Sequence, residues 1–115
     1  MTAKEALEKC RHMWQWLADN PTAIKYDYFM AMHTPEVQNL CYLCEYLIAS
    51  GSKQCDECLL VALWPNSCTA YGAAYDRWCD CQDAGNDAGT TAAALEIVEA
   101  CNKELLKYDT NRAAN

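Results

Sequence analysis

The chain has 115 residues, 52% hydrophobic with Ala and Cys counted and 22% charged, with sixteen acids against nine bases and a net charge of −7. That length suits one domain, and the acidic balance excludes a phosphate-backbone binder, which needs clustered Lys and Arg to displace counterions. The longest uncharged apolar stretch, Cys58 to Trp64, is far short of the ~20 residues a membrane-spanning helix needs. The opening residues are charged and lack a signal-peptide core, so a cytoplasmic protein with neither membrane nor nucleic-acid partners is expected.

From Thr2 to Asp19 the apolar residues Ala3, Ala6, Leu7, Cys10, Met13, Trp14 and Leu17 keep the i, i+3, i+4, i+7 spacing of an amphipathic helix. Trp16 is two positions past the stripe and points about 200° from Trp14, which makes it a partner-contact candidate. Asn20-Pro21 reads as an N-cap followed by proline at the first helical position, predicting a second helix over Thr22 to Met32. Thr34-Pro35-Glu36 repeats that signal for a short helix towards Leu40. His12 falls off the first stripe and His33 ends the second helix, so each reads as an exposed or capping residue.

Between Cys41 and Cys68 periodicity gives way to cysteines and turn residues, and ligation is the expected organiser. Helical spacing returns from Tyr71 to Cys81, and 83–89 reads as a loop. Thr90 or Thr91 is expected to cap a last helix to about Tyr108, with Leu95, Val98, Cys101, Leu105 and Tyr108 on one face. Residues 110–115 should fray, leaving 1–109 as the domain. The fold class is therefore mainly α, a small single-domain helical protein with a central irregular four-cysteine zinc knuckle over 41–68.

Nine cysteines dominate the chemistry. Cys41-Tyr42-Leu43-Cys44 and Cys55-Asp56-Glu57-Cys58 form two C-x2-C elements separated by ten residues, with Ser50-Gly51-Ser52 available for the reversal. Two thiolates at that spacing can hold one ion along adjacent edges of a tetrahedron, and a second turn closes the shell. Zinc is the expected metal and its role structural, since four protein ligands leave no open position; an iron–sulfur cluster is the rival. Cys68, Cys79 and Cys81 are further candidates, whereas Cys10 and Cys101 lie on apolar stripes as core residues. No phosphate-binding glycine loop, nucleophile elbow or H-E-x-x-H is present, so the chain reads as non-enzymatic, although a Cys–His pair stays open.

A resemblance can be set on these residues. The order Asn20-Pro21 with Lys25, Asp27 and Tyr28, then Cys41-Tyr42-Leu43-Cys44-Glu45-Tyr46, Cys55 with Cys58, Trp64, Cys68 and Tyr75-Asp76-Arg77-Trp78 resembles small cysteine-rich accessory proteins of tailed bacteriophages. It covers roughly residues 5 to 80 and departs at Leu59, where those proteins often have proline, and at the additional Cys79 and Cys81. It implies a phage origin, Cys41, Cys44, Cys55 and Cys58 as the motif cysteines, and a setting in the host cytoplasm during infection. The functional expectation is a zinc-binding accessory protein that binds a host protein to inhibit or redirect it, as in counter-defence, with Trp16 and Trp64 as contacts. The alternative is sequestration of a nucleotide signal, perched on Arg11, Lys25 and Arg77 or between chains of a homo-oligomer.

Overall fold

The computed structural model describes residues 2–35, 37, 40–49 and 73–114, without the side chains of 47–49 and 109–114. Five helices follow in order: α1 (Ala3–Asp19), α2 (Lys25–Ala31), α3 (Tyr42–Ala49), α4 (Ala74–Asp83) and α5 (Asp87–Ala114). The protein is mainly helical, with no strand among the described residues. None of its described helices is long and apolar enough to cross a membrane.

α1 begins where Thr2 Oγ1 accepts the Glu5 backbone N–H at 3.1 Å, so a side chain satisfies one of the donors that a helix start leaves over. It buries Ala6, Leu7, Cys10, Met13, Trp14, Leu17 and Ala18, which matches the predicted stripe except that Ala3 is half-buried and Ala18 joins it. α5 runs antiparallel to it. Arg11 donates to Asn102 at 3.0 Å midway along α1, and Thr91 donates to the Ala18 carbonyl at 2.9 Å near its C-terminal end. Ala93, Ala94, Ile97, Val98, Cys101 and Leu105 are the buried residues of α5. Leu95 is 42% exposed, contrary to the expected stripe, because Ala94, one residue before it, and Ile97, two residues after it, hold the inward positions.

The second helix starts later than the Asn20-Pro21 signal predicts. Those residues instead form a turn in which the Ala23 N–H reaches the Asn20 carbonyl at 2.9 Å, and Gln82 of α4 donates to the carbonyls of Pro21 (3.2 Å) and Ala23 (2.5 Å). Tertiary hydrogen bonds thus hold this turn in place up to Ile24, which is extended and whose N–H is taken by the Asp27 carboxylate at 2.9 Å. Residues 36, 38 and 39 of the expected helix from Pro35 towards Leu40 lie outside the described residues; Leu40 N–H bonds to the Val37 carbonyl at 2.9 Å. Regular helix begins at Tyr42 instead, inside the segment expected to be irregular. Tyr42 and Leu43 are buried on it and supply the apolar driving force that the cysteines obscured in the sequence.

α2 and α4 end in the same device. After α2, His33 N–H bonds to the Met30 carbonyl and Thr34 N–H to the Phe29 carbonyl, both at 3.2 Å; after α4, Gly85 bonds to Gln82 at 3.1 Å and Asn86 to Cys81 at 2.8 Å. Both are paired reverse bonds around a left-handed residue, which is Gly85 (φ 69°) in one case and His33 (φ 51°) in the other. Asn86 then caps α5, its Oδ1 accepting from Gly89 N–H at 3.0 Å while Thr90 donates its hydroxyl to the Asn86 carbonyl at 2.9 Å. The cap is therefore Asn86, and the expected 83–89 loop shrinks to a corner, with Thr90 and Thr91 inside the helix.

Replacing His33 with glycine should stabilise the protein by about 1 kcal/mol, because the left-handed conformation penalises a Cβ. Asn86→Ala should cost about 1 kcal/mol through loss of the cap. Urea unfolding of both variants checks the opposite signs.

Candidate metal centre

Cys41 precedes the first residue of α3, so its sulfur lies where the helix presents unpaired N–H groups. The Cys44 N–H points to Cys41 Sγ at 3.4 Å. Cys44 follows one turn later, and its thiol and the Leu43 N–H also hydrogen-bond to the Cys41 sulfur. These bonds, with the charge of Lys25, overcome the opposing effect of burial and lower the Cys41 thiol to about 6. That lowering favours the thiolate, the form in which sulfur binds metal or acts as a nucleophile.

Lys25 was legible only as one of three scattered cations, and its actual place is the feature that sequence spacing missed. Its ammonium stands 4.3 Å from the Tyr75 ring centroid and 5.4 Å from that of Trp14. From there its charge acts on Cys41, Cys79 and Cys10, which come from three different helices or their caps. Trp14, Tyr75 and Trp78 form the wall behind it, with Tyr75 stacked on Trp78 at 5.9 Å and Trp14 edge-on to Trp78 at 5.1 Å. A cation over aromatic faces is attracted by the ring quadrupoles, which holds the charge beside the sulfurs.

Cys10 and Cys101 are fully buried on the α1–α5 seam, as their stripe positions predict, and hydrogen-bond to each other there. That bond and burial raise the Cys10 thiol well above its ordinary range. Burial also raises Cys79, against the pull of its bond to Tyr75. Cys81 lies across from Asn86, with Nδ2 to Sγ at 4.0 Å, so the C-x-C pair diverges from a common point as its helical spacing requires. Among the described residues no group of three or more Cys, His, Asp or Glu is arranged to hold a metal. Of the four expected ligands, Cys41 and Cys44 are brought together at the head of α3, while Cys55 and Cys58 lie outside the described residues, as do Cys68 and Trp64.

The two histidines are engaged elsewhere among the described residues. His12 Nδ1 shares a 2.7 Å hydrogen bond with the Tyr28 hydroxyl, and the two rings meet edge-on at 5.7 Å. Tyr28 and Tyr42 are hydrogen-bonded in turn, and burial with the nearby Tyr42 pushes Tyr28 up to about 12. His33 occupies the left-handed cap described above. Trp16 is half-buried, its ring 5.8 Å from Tyr28 in an edge-on contact. Arg11 bonds to Asn102 and Arg77 makes a bidentate pair with Glu96, including a 2.9 Å bond from Nη2 to Oε1.

No protein-family model, curated protein or solved structure matches the chain.

In metal-free protein at pH 7, iodoacetamide should modify Cys41 ahead of Cys79, Cys10 and Cys101. Because the Cys41 thiol is lowered, thiolate is lost as pH falls through about 6, so the rate should drop steeply between pH 7 and 5. Lys25→Met removes a stabilising charge and should slow labelling at pH 6. Peptide mapping by mass spectrometry over a time course reads all three effects.

Proposed function

We propose that the chain is a non-enzymatic zinc-binding accessory protein that works by binding another protein. The observation that carries the metal half is Cys41 at the head of α3, where its sulfur accepts a backbone N–H while Cys44 stands one turn away. N–H donors to a ligand sulfur orient it and disperse its negative charge, as outer-shell partners of metal ligands do. The spacing of Cys55 and Cys58 matches that of Cys41 and Cys44, and the four thiolates would complete a closed tetrahedral zinc shell with a structural role.

The partner half draws on the surface of α2. Ile24, Tyr26 and Met30 are 50%, 48% and 73% exposed, while Tyr28 and Phe29 of the same helix enter the core. Exposed apolar side chains grouped on one short element are a contact surface in the making, and the net charge of −7 steers the protein towards basic partners. The resemblance to tailed-phage proteins suggests a host protein as that partner, met in the host cytoplasm. Trp16, half-buried behind Tyr28, and Trp64 remain the aromatic contacts proposed from sequence. Capture of a nucleotide through Arg11, Lys25 and Arg77 has less support, because Asn102, an aromatic pair and Glu96 respectively already engage these cations.

Elemental analysis with native mass spectrometry should find one zinc per chain. Cys44→Ser should lose the metal and unfold at lower temperature, since structural zinc contributes on the order of 10–16 kcal/mol of apparent binding energy in small zinc domains. Cys101→Ser should keep the metal and lose only packing energy. A metal-stripped sample with an unchanged far-ultraviolet spectrum and melting temperature overturns the assignment.

A further inference from the structure

The outward face of α5 carries two leucines that the core leaves uncovered. Leu95 is 42% exposed and Leu106 62% exposed. About three helical turns separate them, which returns the second side chain to within about 20° of the first. Glu99 and Lys103 lie between them on the same exposed face.

Most charges along this stretch already have partners. Glu96 is paired with Arg77 of α4, and Glu104 accepts from Lys107 at 2.8 Å. Glu99 and Lys103 are both exposed, and neither makes an ion pair among the described residues although they stand one turn apart. The acids Glu96, Glu99 and Glu104 are balanced by Arg77, Lys103 and Lys107, so this face is neutral on a chain of net charge −7. Two acidic copies repel over most of their surface and least where the charge is balanced.

The order of residues favours one occupant. From Leu95 to Leu106 it runs leucine, acid, base, leucine, and reversing the direction exchanges acid and base while keeping a leucine at each end. We infer that the outward face of α5 pairs with the same face of a second copy of this chain, antiparallel about a two-fold axis near residue 101. Leu95 of each copy packs on Leu106 of the other, and Glu99 of each copy meets Lys103 of the other, an isologous contact in which every interaction occurs twice. A parallel pairing would instead oppose Glu99 to Glu99 and Lys103 to Lys103. The contact spans about three turns and is smaller than a standard interface, so the dimer is weak, with a Kd on the order of 100 μM. The inference does not rest on the metal assignment, because no cysteine takes part.

Sedimentation velocity of the full chain under reducing conditions, from roughly 10 μM to 1 mM, tests it. A reversible monomer–dimer equilibrium is expected. Leu106→Ser should shift it to monomer with an unchanged circular dichroism spectrum, since that side chain lies outside the core. Glu99→Lys and Lys103→Glu should each weaken self-association at least about tenfold by setting like charges against each other, while an equimolar mixture of the two variants should dimerise again. A chain that stays monomeric throughout, a dimer unaffected by Leu106→Ser, or a mixture of the charge variants that associates no better than either alone overturns the inference.

Discussion

Small side chains on α5 let α1 lie close along it, and the remaining helices are placed by that approach. Ala93, Ala94 and Ile97 of α5 are buried in one core with Met13 and Leu17 of α1. Antiparallel alignment is fixed by two polar bonds, Arg11 to Asn102 midway along α1 and Thr91 to the Ala18 carbonyl near its C-terminal end. Each such bond contributes modestly to stability, but a residue shift along the seam would leave these groups unpaired, so together they specify register. α4 packs on α5 through the Gly85–Asn86 corner and the Arg77–Glu96 pair, and α3 packs on α1.

The thiols and aromatic rings inherit their positions from this frame. Cys10 and Cys101 face each other because their helices do. Trp14 on α1 meets Trp78 and Tyr75 on α4, and the resulting wall holds Lys25 beside Cys41. A cation attracted to aromatic faces at the start of one helix and a sulfur at the start of another thus become one electrostatic unit. The low Cys41 thiol is a consequence of tertiary packing as much as of its own helix.

The two long helices were legible because each buries one face continuously, and periodicity reports that. Cys10 and Cys101 were legible as core residues for the same reason. The start of α2 was not, since Asn20-Pro21 satisfies the local rule for a helix start while Gln82, 61 and 59 residues further along the chain, claims the carbonyls of Pro21 and Ala23. α3 was hidden by its own chemistry: a cysteine pair reads as a turn, yet a thiol that accepts backbone N–H groups makes a helix cap. Lys25 matters through neighbours brought by other elements, and no spacing within the chain announces it. Leu95 shows the limit of a stripe drawn by residue type alone, because alanines occupied the inward phase.

The Gly85–Asn86 corner has a consequence for how the chain tolerates change in length. Asn86 closes α4 through its N–H and opens α5 through its side chain, so one residue of the three-residue corner serves both helices. Gly89 is packed so closely that a Cβ there would lie 2.6 Å from the Asn86 amide and 2.7 Å from the Cys81 sulfur. An insertion at this corner would separate the two duties of Asn86 and rotate α5 about its axis, turning Ile97 and Cys101 away from α1. Divergent descendants of this chain should accordingly accumulate indels elsewhere and keep the hinge between α4 and α5 at constant length.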